Sequence, residues 1–432
     1  MPRTVGIPFT FLHAADLHLD SPFRGLGKAP AEVRDRLRES TFAAFDRLME
    51  TVRRERLDFV VFAGDLYDAA DRSLKAQLRM QRALNELARE GVQTFIVHGN
   101  HDPVSGWQSK LDWPETAHVF GTEDVECRPA YRRDGLLAAH VYGISYADAS
   151  VTDNLASRYR TTEGAPFHLA LLHANVDGNA AHDNYAPCKL AELAGAGFDY
   201  WALGHVHDRR VLREYPHVVY PGNIQGRSVR ETGARGAYVV RVSAEGQVAL
   251  SFRDVSDVRW RETDVAIDGA EREQQLKERL LAAVDGARAD AAGRPVVLRL
   301  RLVGSGPLHA RLVRENAGEA WLGELREWVG EPDERDDWVW VERLAVATTG
   351  TGDDAAAEDG QGFLGELARL ARTGRADSAL SRELLADATE ALRRQPRLRE
   401  WLDGRGDEAR AELLSRAEAL AALLLRDKSE GE

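Results

Sequence analysis

The sequence predicts an α/β fold in which short buried strands alternate with helices. Short apolar runs recur along the first half of the chain, and the segments between them repeat apolar side chains with the period of a helix. Several of the apolar runs end in a cluster of Asp, His or Asn. Polar clusters at the carboxyl ends of parallel strands are typical of ligand sites in open α/β folds. At 432 residues, the chain is long enough for two or three domains of roughly 150 residues each.

The first part of the chain is predicted to contain three consecutive strands joined by helices. The strands are Thr10–Ala15, Asp58–Ala63 and Val92–Val97, and the helices cover 31–56 and about 72–90. Crossover helices make such strands parallel, so the residues that follow them should share one rim of a sheet. Those residues are Asp16-Leu17-His18, Gly64-Asp65 and His98-Gly99-Asn100-His101-Asp102.

Two later strands extend this pattern. The strand Leu169–Leu172 leads to His173, and the strand Tyr200–Leu203 leads to Gly204-His205-Val206-His207. Residues i and i+2 of an extended chain point to the same side. The two imidazoles of the second cluster are therefore expected to face one way.

The charge balance limits how the chain could contact a polyanion. The net charge of −13 argues against a surface that coats nucleic acid over its whole area. One stretch, from Asp208 to Arg235, carries six arginines against three acidic residues. Two interpretations of it are about equally supported: contact with phosphates, or a general preference of this chain for arginine. For the first interpretation, the predicted DNA contacts are Arg209, Arg227 and Arg230.

The sequence also indicates a cellular location. No apolar run approaches the ~20 residues of a membrane span, and the N-terminal residues lack a basic region followed by an apolar one. Cys127 and Cys188 are far apart, which predicts neither a disulfide framework nor a thiolate metal cluster. We therefore expect a cytoplasmic protein without membrane association.

The residues on the predicted rim favour a site for two metal ions. Carboxylates, an amide and several imidazoles together suit Mn²⁺, Fe²⁺ or Zn²⁺, whereas Ca²⁺ would take mostly oxygens. The set is too large for one ion, but two ions about 4 Å apart that share one carboxylate would use all of it. Such a site keeps a positive charge that suits a phosphate ester. The candidate ligands are Asp16, His18, Asp65, Asn100, His173, His205 and His207.

These motifs resemble, in order and spacing, the five motifs of the calcineurin-like metallophosphoesterases. The segment His13–Phe23 is further similar to DNA repair exonucleases of the SbcD and YhaO type. The resemblance implies a two-sheet sandwich flanked by helices and two divalent ions, with Mn²⁺ expected. It assigns Asp16, His18, Asp65 and His207 to the first ion and Asp65, Asn100, His173 and His205 to the second, bridged by Asp65.

The resemblance also implies the acid that completes the reaction. His101 would protonate the leaving alkoxide, and Asp102 would support it. Asp68 occupies a position that is His in some relatives and Asp in others. Its role is left open.

The chain is predicted to contain four regions. Residues 1–252 form the phosphoesterase domain, closed by strands at Tyr238–Val242 and Val248–Phe252. Residues 256–347 form a small α+β domain that resembles the capping domain of relatives. Residues 348–362 are a linker and 363–428 are helical. The predicted elements of the α+β domain are strands Val258–Ile267, Val296–Val303 and Trp338–Val346 and helices Ala270–Val284 and Leu308–Val329.

The C-terminal helices carry apolar stripes that need a cover. One stripe includes Leu413, Leu420 and Leu424, and another includes Phe363 and Leu367. The family resemblance implies a partner, a coiled-coil ATPase of the SbcC type. The alternative is that these helices pack on each other or on the capping domain. Oligomeric state is open, and a homodimer is compatible with the sequence.

The leading interpretation is a Mn²⁺-dependent nuclease acting on DNA ends or hairpins. A phosphoesterase acting on a small nucleotide or a phosphoprotein is the alternative, because the metal site is indifferent to what lies beyond the phosphate. Related phosphoprotein phosphatases have Asp-Arg-Gly and Asn-His-Glu where this chain has Asp68-Ala69-Ala70 and Asn100-His101-Asp102. A DNA-end binder without catalysis is disfavoured because every candidate ligand is present. The sequence does not distinguish exonuclease from endonuclease activity.

Overall fold

The structure is a computed structural model that describes most of residues 6–350 and a few residues beyond them. Gaps within that range are 24–26, 28, 72, 107–110, 179–182, 315–316 and 333–334. The later described residues are 369, 373, 378–390, 399 and 406. The predicted linker and most of the predicted C-terminal helical region therefore lie outside the described residues.

The elements alternate along the chain as an α/β fold requires. The strands are β1 (Phe9–Ala14), β2 (Phe59–Ala63), β3 (Gln93–Val97), β4 (Ala117–Val119), β5 (Glu126–Tyr131), β6 (Leu137–Gly143), β7 (His168–His173), β8 (Tyr200–Gly204), β9 (Arg210–Glu214), β10 (His217–Tyr220), β11 (Gly236–Val242), β12 (Val248–Asp254), β13 (Arg259–Ala266), β14 (Val296–Val303) and β15 (Val339–Val346). The helices are α1 (Ala31–Arg54), α2 (Leu74–Arg89), α3 (Leu190–Gly195), α4 (Glu273–Asp290), α5 (His309–Arg314), α6 (Ala317–Val329) and α7 (Ser378–Ala388).

Two six-stranded sheets form the sandwich, as predicted. The first has the order β12-β11-β1-β2-β3-β4 and the second has the order β5-β6-β7-β8-β10-β9. Strands β1 to β4 are parallel, and the predicted hairpin β11–β12 joins the edge of β1 in antiparallel fashion. Strands β6, β7, β8 and β10 are also parallel to one another. The carboxyl ends of two parallel sets are thus available to build one site.

The main apolar core lies between the two sheets. Alternate residues of β1 and β2, among them Phe11 and Phe59, pack with Leu171 and Tyr200 of the second sheet. The side chains that point the other way from the first sheet pack against α1 and α2. This two-sided burial explains why the parallel strands are apolar at nearly every position.

Helix α1 forms because its apolar side chains recur on one face. The buried side chains include Leu37, Phe45, Leu48 and Val52. Successive members are separated by eight, three and four residues, which places them on one face of a helix. Helix α2 begins at a capping residue, since the Ser73 hydroxyl accepts the backbone N–H of Ala76 at 3.0 Å. Both helices therefore stand where the sequence predicts them.

Strands β13, β14 and β15 form a third sheet, in that order. The helix predicted over 308–329 is instead two helices, α5 and α6. The apolar period continues across the division, which is why the pattern alone predicts a single helix.

The chain divides into two compact units. One comprises Met1–Arg261, Ala287–Leu298 and Glu331–Trp340, and the other comprises Glu262–Gly286, Arg299–Gly330 and the chain from Val341 onward. Among the helices of the described residues, none has the length and apolar character needed to cross a bilayer.

Candidate metal centre

The candidate ligands meet where the carboxyl ends of the two sheets approach each other. Close approach is visible at Gly204, where a Cβ atom would lie 1.8 Å from the carbonyl oxygen of Ala63 at the end of β2. Only glycine permits this contact. The loops after β1, β2 and β3 face those after β7 and β8, and all seven predicted ligands lie in this region (Asp16, His18, Asp65, Asn100, His173, His205 and His207).

Two imidazoles of this cluster face each other through their Nε2 atoms. The Nδ1 atom of His18 lies 3.2 Å from a carboxylate oxygen of Asp68, and the Nδ1 atom of His207 lies 2.7 Å from Glu231. A neutral imidazole whose Nδ1 donates to a carboxylate keeps its lone pair on Nε2. The two Nε2 atoms are 3.2 Å apart. Two nitrogens bound at about 2.1 Å in adjacent positions of one ion would be separated by about 3 Å.

A second group has the same arrangement. The Nδ1 atom of His173 donates to the carbonyl of Ala63 at 2.8 Å, and the Nε2 atom of His205 donates to the carbonyl of Asp183 at 2.8 Å. Their remaining nitrogens lie 3.1 and 3.2 Å from the amide oxygen of Asn100. Lone pairs thus converge from all three side chains.

Asp65 lies between these two groups. Its Oδ2 atom is 3.4 Å from Nε2 of His173 and 3.8 Å from Nε2 of His18. Its other oxygen accepts the backbone N–H of His101 at 2.9 Å. The carboxylate lies within reach of both groups, and the hydrogen bond to its second oxygen fixes its orientation.

Asp16 is the second carboxylate of the cluster. It has no exposed surface, and its oxygens accept the backbone N–H of His205 at 3.0 and 3.2 Å. Burial raises the pKa of Asp16 to about 7, although the positive charge of a protonated His207 would lower it. Burial also lowers the pKa values of His18 and His173 to about 4, so both imidazoles are neutral at pH 7.

The donor set fits divalent metal ions. Asp16, His18 and His207 offer ligand atoms that all lie within 4.8 Å of one another, and so do Asp16, Asp65 and His173. Imidazole and carboxylate together suit Mn²⁺, Fe²⁺ or Zn²⁺. Buried lone pairs that face one another repel, and a cation bound among them removes this repulsion.

Several of these residues have an unusual backbone conformation. The φ angles are 52° at Asp16, 43° at His18, 54° at Asp65 and 100° at His205. This left-handed region is uncommon for residues other than glycine. Backbone hydrogen bonds stabilise it, since the N–H of Asp16 donates to Gly64 and that of His18 donates to Asp65, both at 3.0 Å.

His101 lies beside the cluster and contacts Asp68. Its Nδ1 atom is 2.5 Å from Oδ1 of Asp68, and its side chain is 45% exposed. Burial lowers the pKa of His101, but the hydrogen bond to Asp68 and the charge of Asp65 outweigh it and raise the pKa to about 9. The same Asp68 oxygen contacts His18, so one carboxylate orients both imidazoles.

Asp102 does not have the place that the sequence analysis gave it. Its Oδ1 atom accepts the backbone N–H groups of Asp65 and Gly99 at 3.1 and 2.7 Å. Its Oδ2 atom accepts from Leu66 at 2.9 Å and contacts Nδ1 of His98 at 3.0 Å. Asp102 is therefore a buried residue that positions two loops, and the support predicted for His101 comes from Asp68 instead.

Sequence reasoning missed the role of Glu231. Besides contacting His207, it accepts the side-chain amide of Asn223 at 2.9 Å and the backbone N–H of Arg227 at 2.6 Å. Burial would raise the pKa of Glu231, but the hydrogen bond to His207 holds it well below its usual range. A carboxylate behind a metal-ligating histidine fixes its tautomer. No local sequence pattern marks this residue.

The three predicted DNA contacts are not placed alike. Arg227 approaches the cluster, because its guanidinium donates to the Ser21 hydroxyl at 2.9 Å and lies 3.8 Å from Asp68. Arg230 is exposed. Arg209 lies over the ring of Phe252, 3.9 Å from its centre. Arg235, from the same basic stretch, is buried, so the stretch does not form one continuous basic surface.

Comparison with known proteins identifies the family. The model described as calcineurin-like phosphoesterase matches residues 9–209. The model described as the middle domain of the metallophosphoesterase YhaO matches residues 260–349.

Individual relatives extend this match along the chain. The metallophosphoesterase YhaO of Bacillus subtilis is 35% identical over 412 residues, which cover 95% of this chain and 96% of that protein. Proteins named DNA double-strand break repair protein Mre11 are more distant. The one from Methanopyrus kandleri is 28% identical over 75% of this chain and 72% of its own length. The one from Aeropyrum pernix is 28% identical over 52% of this chain and 56% of its own length.

The YhaO match covers 95% of the chain and so runs through the sandwich and the third sheet, and the calcineurin-like match at 9–209 contains all seven candidate ligands. The chain belongs to the calcineurin-like metallophosphoesterases, in the group that includes YhaO, and is a metal-dependent phosphoester hydrolase.

Proposed function

We propose that this protein is a Mn²⁺-dependent nuclease that hydrolyses phosphodiester bonds at DNA ends during DNA repair. The observation that carries the proposal is the position of Asp65 between the two groups of candidate ligands, 3.4 Å from His173 and 3.8 Å from His18. That arrangement suits two ions, and two-ion sites are suited to in-line displacement at phosphorus. The similarity to proteins named for double-strand break repair supports DNA as the substrate.

The residues around the cluster have distinct tasks in this reaction. Bound divalent ions would supply an activated water and stabilise charge on the phosphoryl oxygens. Asp68 holds Nδ1 of His101, which leaves Nε2 as the nitrogen that can protonate the leaving alkoxide. Arg227 contacts Asp68 on the same side and adds a positive charge next to the phosphate position.

DNA contact beyond the scissile phosphate is assigned to arginines of the basic stretch. Arg230 is exposed and Arg209 is exposed on its own loop, so both can reach a backbone phosphate. Arg227 would act at the reacting phosphate itself. Replacing Arg230 with Gln should flatten the salt dependence of DNA binding, because fewer counterions are displaced.

One observation favours a smaller substrate as the alternative. With Arg235 buried and Arg227 occupied by Ser21 and Glu231, the exposed basic area is smaller than the basic stretch suggests. A nucleotide or a phosphorylated side chain needs less positive surface than a duplex. The metal site itself would serve either substrate.

The decisive experiment compares DNA with a small ester. The full-length protein is incubated with Mn²⁺ and end-labelled duplex, end-labelled hairpin DNA or a chromogenic phosphodiester. We expect cleavage of both DNA substrates, lost on chelation and in His101→Ala, but kept in His140→Ala, which changes a histidine on β6. Cleavage of the small ester with both DNA substrates intact would favour the alternative. Parallel reactions with Zn²⁺, Fe²⁺ and Mg²⁺ test the proposed metal.

We also propose that residues 363–428 bind a coiled-coil ATPase of the SbcC type and that this partner controls access of duplex DNA to the metals. The apolar stripes of that region support the proposal. We further propose that two copies of this chain form a homodimer. Gel filtration with light scattering would test this.

A further inference from the structure

A second cavity lies among residues that have no part in the metal centre. Its volume is about 410 Å³, within the ~300–1,000 Å³ that small-molecule sites occupy. Its walls come from α1, from the segments just after β12 and just before β14, and from the segment that leads into β15. All of these segments belong to the same compact unit. The residues that carry the argument are Arg36, Arg47, Asp257, Arg294, Arg335 and Trp338.

The walls of this cavity are rich in arginine. Four arginines line it together with two carboxylates, Asp257 and Asp336. Two of the arginines also pair with carboxylates just outside the lining, Arg294 with Asp254 and Arg335 with Asp337, so the charges are nearly balanced. What the walls offer an anion is a concentration of guanidinium N–H donors.

The two arginines of α1 that line the cavity are held in place by a buried carboxylate. Asp257 is fully buried, and its carboxylate contacts Nε and Nη2 of Arg36 at 2.6 and 2.7 Å and Nη2 of Arg47 at 2.7 Å. Arg47 also donates to the carbonyl of Ser256 at 2.9 Å. Both side chains nevertheless remain partly exposed, at 47% and 38%. A guanidinium has five N–H donors, so each keeps donors after these bonds are made.

The other walls of the cavity are formed by two further arginines, Arg294 and Arg335, and by the aromatic side chain of Trp338. Arg294 pairs with Asp254 at 2.6 Å, and Arg335 pairs with Asp337 at 2.8 Å. Trp338 is nearly buried and packs in an apolar cluster with Trp260 and Val297. Arginines oriented by carboxylates are well suited to hold a phosphate through paired hydrogen bonds, since the guanidinium is already fixed. The apolar wall can pack against a sugar or a base.

We propose that this cavity binds a small phosphate-bearing ligand of the nucleoside monophosphate class. Arg36 and Arg47 contact the phosphate, Arg335 contacts it from the facing wall, and Trp338 lies against the organic part. The site is separate from the metal centre and does not depend on which phosphoester the enzyme hydrolyses.

The test must separate this cavity from the metal centre, because phosphates bind there too. Hydrogen exchange of the full-length metal-loaded protein is followed by mass spectrometry during titration with deoxyadenosine monophosphate, and in parallel with inorganic phosphate. Peptides over 290–298 and 331–340 report on the cavity, and peptides over 97–105 report on the metal centre. We expect saturable protection of the cavity peptides with the nucleotide and at least tenfold weaker protection with phosphate alone.

Variants make the assignment specific. Arg36→Gln and Arg335→Gln should each weaken protection of the cavity peptides at least tenfold and leave the metal-centre peptides unchanged. Arg335 is the safer site, because its side chain is 54% exposed, whereas Arg36 compensates a buried carboxylate. Arg38→Gln is the matched control, since Arg38 lies on the same helix and pairs with Asp35 at the surface.

Three results would overturn the proposal. Protection confined to the metal-centre peptides would place the nucleotide there alone. Equal protection in Arg335→Gln, Arg36→Gln and Arg38→Gln would show that the cavity arginines do not bind it. Protection of the cavity peptides by a duplex oligonucleotide, with none from the mononucleotide, would show a DNA contact and not a small-ligand site.

Discussion

At the scale of single residues, Asp68 and Asp102 show how two nearby carboxylates serve different ends. Asp102 accepts three backbone N–H groups and contacts His98, so it fixes the loops that carry Asp65 and Asn100. The carboxylate of Asp68 contacts the side chains of His18, His101 and Arg227. Asp102 thus positions backbone, whereas Asp68 orients two imidazoles of the candidate site.

The first prediction concerns His101. The variant His101→Ala should keep both metal equivalents, since its side chain is not in either ligand group, and should lose a factor of about 10² to 10⁴ in turnover. Asp68→Asn should lose less and should also lower metal affinity, because Asp68 orients His18. Metal content by plasma mass spectrometry and cleavage of a phosphodiester measure both effects. Loss of one metal equivalent in His101→Ala would make His101 a ligand.

The second prediction concerns Asp65. Its carboxylate lies within reach of both groups, so Asp65→Asn should remove more metal than His173→Ala, which affects one group only. His140→Ala serves as the control with full metal content. Equal loss in Asp65→Asn and His173→Ala would argue that Asp65 serves a single ion.

At the scale of secondary structure elements, Glu55 links the end of α1 to the edge of the first sheet. It accepts from Arg253 on β12 at 2.5 and 3.0 Å and from Arg241 on β11 at 2.7 Å. The hydrogen bond from Arg253 is the main reason that the pKa of Glu55 lies below its usual value. The predicted hairpin is thus fastened to the crossover helix.

The third prediction follows from that pKa. Because the folded state lowers it, the charged carboxylate stabilises the fold above the unfolded-state pKa of about 4.5, and this contribution is lost as the pH falls through the lower folded-state value. Glu55→Gln should therefore cost roughly 1 kcal/mol at pH 7 and progressively less as the pH falls below about 4. Urea unfolding at several pH values tests this, with Glu50→Gln on the same helix as control. A cost that did not change with pH would exclude the ion pairs as its source.

How far the sequence predicts the elements depends on how each one is buried. The parallel strands β1, β2, β3, β7 and β8 are apolar runs because both faces are covered, and that pattern is visible without a structure. Strands β4, β5, β6, β9 and β10 are not predicted. Strands β5 and β9 are edge strands with exposed polar residues, and β4 and β10 have only three and four residues. Strand β6 is largely buried, but its two alanines and His140 interrupt the apolar run. The division between α5 and α6 is also missed, since the apolar period passes through it.

The site shows the same limit. The seven candidate ligands follow strands and recur at fixed spacing, so the sequence singles them out before the structure brings them together. Glu231 and the position of Asp102 are not predicted, because both depend on contacts between segments far apart in the chain. Glu231 lies 24 residues beyond His207, and Asp102 turns toward His98 and the neighbouring backbone. Which carboxylate serves which imidazole is decided by packing and not by spacing.

At the scale of the whole molecule, the fourth prediction is that the C-terminal region binds the partner and is not needed for hydrolysis. Deletion of residues 361–432 should abolish co-purification with a coiled-coil ATPase of the SbcC type and leave hydrolysis of a small phosphodiester intact, because every ligand lies before residue 210. Replacing Leu413, Leu420 and Leu424 with Ser gives a milder variant that keeps the chain length. If the partner is retained in both variants, these helices are not its binding site. If small-ester hydrolysis is lost, they belong to the catalytic fold.

The left-handed backbone at Asp16, His18, Asp65 and His205 lowers the stability of the fold at the positions that carry candidate ligands. Conformations of this kind cost on the order of 1–3 kcal/mol each where a side chain is present, and glycine would adopt them freely. Selection for heat resistance alone, without an assay for hydrolysis, would therefore favour sequences that lose ligands at these four positions. An improved variant of this protein has to be sought by stabilising residues elsewhere, since the trade-off between robustness and activity is built into the turns that carry the ligands.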